Sequence, residues 1–132
     1  MIYYQDRFEG IDASKLEGFF KHWHHPETPE HHFKMLKQSS YFIVAIDSSK
    51  DRIIGSITVL TDDVQVVYIS MLEVLAEYRG QGIGSELVRR ILKKYKHIPA
   101  IDLMCAPTTQ AFYKRLGMQA SAGMVVRNHP SN

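Results

Sequence analysis

The chain has 132 residues, 45% of them hydrophobic, a length that allows one hydrophobic core, so we expect a single domain over residues 1–132. Sixteen Lys and Arg against fourteen Asp and Glu give a formal net charge of +2, which is too balanced for a typical nucleic-acid binder. No apolar run approaches the roughly 20 residues that span a bilayer, and the N-terminus lacks a signal-peptide pattern, so we expect a cytoplasmic protein without membrane partners. The lone Cys105 excludes an intrachain disulfide and a cysteine-based zinc site, and it fits a reducing compartment.

Hydrophobic periodicity predicts the elements of the first half. Residues 2–4 form a short strand, and residues 11–20 form a helix with Asp12 as its N-cap. A loop over 21–27 leads to a second helix, which Thr28 caps, which Pro29 opens and which ends near Gln38. The apolar runs 41–46 and 53–60 flank the polar turn 48–51, a pattern that predicts a hairpin.

The second half predicts strands alternating with helices. Residues 64–75 form a long central strand, residues 85–96 an amphipathic helix, and residues 98–105 a fifth strand. A short helix over 108–116 is stopped by Gly117, and residues 118–126 form a final strand pair or an extended arm. These elements predict an α/β or α+β fold with a sheet of mixed direction.

The segment between the central strand and the amphipathic helix carries the strongest functional signal. Residues 77–87 read EYRGQGIGSEL, with three glycines where the backbone would wrap an anion. The N–H groups of such a turn and of the following helical turn can bind phosphate. A dinucleotide-binding Rossmann loop is the competing interpretation, but its third glycine would fall on Ser85, and too few strands follow. A tight connection without a ligand is the simplest alternative. Three glycines and the preceding Arg79 favour phosphate binding.

Three motifs resemble those of the GNAT acetyltransferases. They are Arg79-x-x-Gly82-x-Gly84, Leu72-Glu73-Val74 before it, and the run FYKRLGM over 112–118. The order of the predicted elements agrees from the first strand to the last, so the resemblance covers the whole domain. Small bacterial candidate acetyltransferases with unassigned substrates also share Leu-Glu-Val and a C-terminal Arg-Asn, here Arg127-Asn128. The resemblance implies a mixed, mainly antiparallel central sheet flanked by helices and splayed between strands 4 and 5.

The resemblance also implies acetyl-CoA as cosubstrate. Its pantetheine arm would lie between strands 4 and 5 like an added strand, and its pyrophosphate would bind at the helix N-terminus. The implied cofactor-binding residues are Leu72, Val74, Arg79, Gly80, Gln81, Gly82, Ile83, Gly84 and Ser85.

Two residues are candidates for proton transfer. An amine must lose a proton before it attacks a thioester, and strand alternation turns Glu73 away from Leu72 and Val74, toward an approaching substrate. A solvated carboxylate or a structural ion pair is the alternative for Glu73. The resemblance implies that Tyr113 protonates the departing thiolate, and the alternative for Tyr113 is packing.

Histidines at 22, 24, 25, 31 and 32 suggest a metal site, yet adjacent histidines on a helix diverge and acyl transfer needs no metal, so solvated or substrate-lining histidines are favoured. Trp23 either contacts the acceptor or packs. The function expected is N-acetylation of a small-molecule or protein amine by direct transfer, and a non-catalytic acyl-CoA-binding module is the alternative. The sequence leaves open whether the chain forms a homodimer.

Overall fold

A mixed five-stranded sheet, with its strands in chain order, forms the centre of the molecule. The computed structural model describes residues 1–23 and 27–128. The strands are β1 (Ile2–Gln5), β2 (Tyr41–Asp47), β3 (Arg52–Thr61), β4 (Val66–Val74) and β5 (Ala100–Leu103). Strands β1 to β4 pair antiparallel, and β5 pairs parallel to β4. The predicted fold class and the hairpin of β2 and β3 are confirmed.

Buried helix faces explain how the sheet is covered. Helix α1 (Pro29–Gln38) begins at Thr28, whose hydroxyl accepts a hydrogen bond from the N–H of His31 at 3.0 Å. Helix α2 (Ile83–Lys94) buries an apolar stripe that includes Leu87 and Ile91. Helix α3 (Gln110–Lys114) ends before Gly117, which has a φ of +96°. No helix in 1–23 or 27–128 is long and apolar enough to cross a membrane.

The predicted helix over 11–20 is wrong. Only Ala13–Lys15 form a short 3-10 turn, which Asp12 caps by accepting from the N–H of Ser14 at 2.9 Å. Gly18 has a φ of +94° and Phe20 a φ of +64°, and neither value is compatible with a right-handed helix. The apolar side chains of this segment are nevertheless buried, so their helix-like spacing reflects core packing by a chain that turns back on itself.

Strands β4 and β5 diverge, as the resemblance implied. Their parallel pairing covers only Val66 to Ile69 and Ala100 to Leu103. Strand β5 ends at Leu103, whereas β4 continues to Val74. The observed β5 has four residues and is therefore shorter than the predicted strand over 98–105. No residue of the described chain pairs with 70–74 on that side of β4. The unpaired half of β4 therefore borders a gap in the sheet.

The C-terminal arm, residues 118–128, contains neither helix nor strand. This outcome matches the extended arm and not the strand pair of the sequence prediction. The N–H of Met118 donates to the carbonyl of Tyr113 at 3.1 Å. Residues 119–128 make no backbone–backbone hydrogen bond with any part of the chain that the structure describes. The arm is thus tied to the domain at its first residue.

Candidate functional site

A cavity of about 670 Å³ lies where the unpaired half of β4 meets the N-terminus of α2 and helix α3. Its volume is within the range of small-molecule sites. The cavity brings together every predicted site residue except Gln81: Leu72, Glu73, Val74, Arg79, Gly80, Gly82, Ile83, Gly84, Ser85 and Tyr113. Residues far apart in sequence therefore border one space.

The glycine loop, residues 79–85, has the backbone that an anion cradle requires. Gly80 and Gly82 have φ values of +79° and +83°, and a Cβ at either position would meet no atom within 4 Å. Glycine is therefore required at these two positions because of the left-handed backbone conformation, and not because a side chain would clash with a neighbour. Gly82 is the N-cap of α2, and no side chain caps the helix there. The first N–H groups of α2 lack acceptors within the helix, so they are available to a ligand.

Gly84 has a different structural role. Its φ is not in the left-handed region, and an added Cβ would lie 3.5 Å from Cζ of Phe112 and 3.7 Å from Cγ2 of Val74. A side chain at Gly84 would thus contact both α3 and β4. The absence of a side chain keeps this end of the cavity open.

Arg79 contacts another predicted cofactor residue. Its Nε donates a hydrogen bond to the carbonyl oxygen of Val74 at 3.0 Å, while the side chain is exposed. This bond ties the glycine loop to the end of β4. A carbonyl oxygen has two lone pairs, so Val74 can accept a second bond from a ligand without losing the first.

Glu73 is fixed by the backbone of a distant segment. Its Oε2 accepts a hydrogen bond from the N–H of Phe20 at 3.0 Å. The salt bridges among the described residues do not include Glu73, so the structural ion pair considered from sequence is not formed there. Phe20 has a positive φ, which is uncommon for a bulky residue and is a strained feature typical of functional regions. The bond leaves Oε1 of Glu73 for a substrate or a water molecule.

His22 and Trp23 line the cavity on the side of Glu73. The Trp23 ring packs 4.6 Å from the ring of Phe20, centroid to centroid, and the residue is 37% exposed. Trp23 therefore packs on Phe20 and also lines the cavity, and its contact with an acceptor stays a prediction. No group of three or more His, Cys, Asp or Glu in 1–23 and 27–128 could hold a metal ion. His24 and His25 lie outside the described residues.

His32 is neither solvated nor substrate-lining, in contrast to the sequence prediction. It is fully buried on α1, its ring centroid lies 4.8 Å from those of Phe19 and Phe20, and its Nε2 is 3.1 Å from Oγ of Ser56. Its Nδ1 has no hydrogen-bond partner among the described residues. Burial lowers the pKa of His32 to about 4, so the ring is neutral at pH 7. The ring supports the segment that brings Phe20 to Glu73.

Tyr113, on α3, lines this cavity and also a second cavity beside β5. Its ring packs edge-on against Phe112, with centroids 4.9 Å apart. Burial raises the pKa of Tyr113, and the neighbouring Cys105 acts in the same direction. The hydroxyl therefore stays protonated through neutral pH, which is the state that a proton donor needs.

Comparisons with known proteins agree with this geometry. Residues 8–118 match the model of the Acetyltransferase (GNAT) family. A candidate acetyltransferase from Deinococcus radiodurans R1 is 35% identical, with 96% of this chain and 88% of that chain covered and a TM-score of 0.91.

Two more distant structures share the fold. A GNAT family acetyltransferase from Streptococcus pneumoniae TIGR4 is 24% identical, with coverage of 98% and 100% and a TM-score of 0.74. Glucosamine-6-phosphate N-acetyltransferase from Arabidopsis thaliana is 15% identical, with coverage of 98% and 99% and a TM-score of 0.69. A search of curated proteins gave no match.

Proposed function

Because the chain belongs to the GNAT acetyltransferase family, we propose that it transfers an acetyl group from acetyl-CoA to a primary amine by direct transfer in a ternary complex. Membership of the family supports acyl transfer in general. The observation that carries the finer proposal is the single cavity that joins the N-terminus of α2, the unpaired half of β4, Glu73 and Tyr113.

The residues present fit acetyl-CoA. Its pyrophosphate is an anion, and the uncapped N-terminus of α2 supplies N–H donors and a favourable helix dipole. Its pantetheine arm carries amides that can hydrogen-bond like an added strand, and between residues 70 and 74 the edge of β4 that faces the gap pairs with no other strand of the described chain. The exposed Arg79 adds a positive charge at the same end.

The proposed reaction balances with two proton transfers. The amine nitrogen bonds to the thioester carbon, the C–S bond breaks, and the products are an amide and free CoA. Glu73 accepts the proton that the amine loses, directly or through a water molecule, and Tyr113 donates a proton to the thiolate sulfur. A backbone N–H near Val74 stabilises the negative charge that develops on the carbonyl oxygen.

The acceptor is proposed only as an amine, of a small molecule or of a protein. No nucleic acid or membrane takes part in the proposed reaction. The single cysteine fits a reducing compartment, and the proposal assigns the reaction to the cytoplasm.

A thiol-release assay tests the proposal. The purified chain is incubated with acetyl-CoA and a panel of amines that covers polyamines, amino sugars, amino acids and a lysine peptide. We expect free CoA to appear with at least one acceptor, together with the acetylated amine by mass spectrometry. Calorimetric binding of acetyl-CoA without turnover on any amine would favour a non-catalytic acyl-CoA-binding module. Absence of binding would contradict both functions.

A further inference from the structure

A buried polar pair lies on the sheet face that carries Glu73. Ser56 on β3 is the direct cross-strand partner of Glu73 on β4, so the two side chains project from the same face of the sheet. Ser56 and His32 are both fully buried, and Oγ of Ser56 lies 3.1 Å from Nε2 of His32. This hydrogen bond therefore joins helix α1 to the strand that lies beside Glu73.

The same histidine packs against the segment that holds Glu73. The ring of His32 lies 4.8 Å, centroid to centroid, from the rings of Phe19 and Phe20. The N–H of Phe20 in turn donates to Oε2 of Glu73 at 3.0 Å. These contacts form a closed set, because Ser56 returns to Glu73 across the ladder of β3 and β4. Each member of the set limits the movement of the next.

A histidine at position 32 has a cost that packing alone does not explain. Nδ1 of His32 has no hydrogen-bond partner among the described residues, and an unpaired polar atom in the core is unfavourable. A leucine or a phenylalanine would fill an apolar place without that cost. An apolar side chain lacks the hydrogen bond to Ser56, which fixes the position of the ring. This hydrogen bond is therefore the feature that requires a histidine.

The position of the ring matters because Phe20 has a strained backbone. Its φ of +64° is uncommon for a bulky residue, and such a conformation persists only where the surrounding structure holds it. The described chain holds Phe20 from two sides, since Glu73 accepts from its N–H and His32 contacts its ring. Movement of this segment would release Oε2 of Glu73 and let the carboxylate rotate.

We propose that His32, held by Ser56, is a positioning residue that orients the carboxylate of Glu73 for proton transfer. This role rests on the proposed function, because Glu73 is the proton acceptor of that reaction. Within the described chain, His32 is not among the residues that line the cavity of about 670 Å³, so it acts through Phe20 and Glu73. A displacement of a catalytic group by about 1 Å can lower a rate by on the order of 10²-fold.

Amide exchange measured by NMR tests the positioning without any need for turnover. Ser56→Ala and His32→Leu remove the hydrogen bond, whereas the amide of His32→Gln can replace Nε2. We expect the Phe20 amide to exchange about tenfold faster or more in the first two variants, relative to the amides of β2, and to exchange near its original rate in His32→Gln. Thr58→Val is the matched control, because Thr58 is buried two positions further along β3 and loses a hydroxyl that lies 2.8 Å from Oγ of Ser70. The control should leave the Phe20 amide protected.

Kinetics with a reactive amine then test the effect on Glu73. We expect Ser56→Ala and His32→Leu to lower kcat by about tenfold or more while the Kd for acetyl-CoA stays nearly constant, and His32→Gln to regain most of the rate. In a Glu73→Gln background, Ser56→Ala should cost no further activity, because the group that is oriented has been removed. Thr58→Val should have full activity.

Two results would overturn the positioning role. One is a Phe20 amide that stays protected in both Ser56→Ala and His32→Leu, and the other is a further loss of rate when Ser56→Ala is added to Glu73→Gln. A folded chain without turnover on any amine would instead contradict the proposed function. Exchange at Phe20 would then still decide whether His32 and Ser56 hold this segment against Glu73.

Discussion

Glu73 is held by the N–H of Phe20, a group 53 positions away in sequence. This contact makes Glu73→Gln an informative variant, because the glutamine carbonyl can still accept that hydrogen bond. The variant cannot take a proton from the amine. We expect kcat/KM to fall by on the order of 10²-fold or more, most strongly at acidic pH, where the amine is mostly protonated.

The measurement for Glu73 is the pH dependence of kcat/KM in both proteins with the same acceptor. Glu77→Gln is the control, since Glu77 is exposed and pairs with Arg52 at 3.6 Å. Parallel profiles that differ by less than about twofold, far below the usual contribution of a general base, would leave Glu73 with a structural role alone.

Tyr113 gives a second prediction for a single residue. Tyr113→Phe keeps the edge-on contact with Phe112 and removes only the hydroxyl. We expect kcat to fall by on the order of 10² to 10⁴-fold while the Kd for acetyl-CoA, measured by calorimetry, stays nearly constant. Tyr3→Phe on β1, where the tyrosine is 41% exposed, should have full activity. Full activity of Tyr113→Phe across pH would assign protonation of the thiolate to water or to another group.

The glycine loop affects a whole element, because its two residues with left-handed backbone conformation set the direction in which helix α2 begins. Gly82→Ala places a methyl group in space that no protein atom occupies and strains a φ of +83°. We expect acetyl-CoA affinity to fall by about tenfold or more, which is at least about 1.4 kcal/mol of binding free energy. Calorimetry on the folded variant measures it.

Gly10→Ala separates strain from loss of the cradle. Gly10 has a φ of +73° and similar open space, so its alanine variant carries the same kind of backbone strain. Both variants should lose comparable thermal stability, but only Gly82→Ala should bind the ligand more weakly. Equal affinities in the two variants would remove the cradle assignment.

The sequence predicts those elements whose local pattern and tertiary role agree. Helix α2 follows from apolar periodicity and strands β2 and β3 from continuous apolar runs, and their buried residues match these patterns. The segment 11–20 fails because Gly18 and Phe20 adopt positive φ values and because the N–H of Phe20 bonds to Glu73. No local pattern encodes a partner on a distant strand.

In the candidate site, too, the sequence predicts features that depend on local spacing and does not predict contacts between distant segments. Its glycines and motif residues can be found from sequence because their spacing is local. The buried His32 and the bond from Arg79 to Val74 depend on how separate elements pack, so a run of histidines alone could not place His32 in the core.

At the scale of the whole molecule, His32 makes stability depend on pH. Its folded pKa of about 4 lies below the ordinary value of 6.5, so the unfolded chain takes up a proton first as pH falls. The contribution of His32 is therefore complete above about pH 6.5 and is lost progressively toward pH 4. A shift of this size corresponds to on the order of 3 kcal/mol in the free energy of unfolding.

Urea unfolding at several pH values between these limits checks the prediction. We expect the slope of stability against pH to flatten in His32→Gln. His97→Gln should keep the original slope, because His97 is exposed and lies beyond the end of α2, away from His32. If the two variants show the same slope, another group is responsible for the acid sensitivity.

In the part of the chain that the structure describes, four residue pairs join β5 to β4, so the ladder between these two strands is short. A molecule bound in the gap would contact both strands and would hold them together. Free CoA keeps the same pantetheine arm and pyrophosphate as acetyl-CoA, so it would still bridge the two strands after the acetyl group has left. Release of CoA, and not the acyl-transfer step, would then limit the rate of turnover. The kinetic sign is a burst of acetylated amine in the first turnover, followed by a slower steady rate.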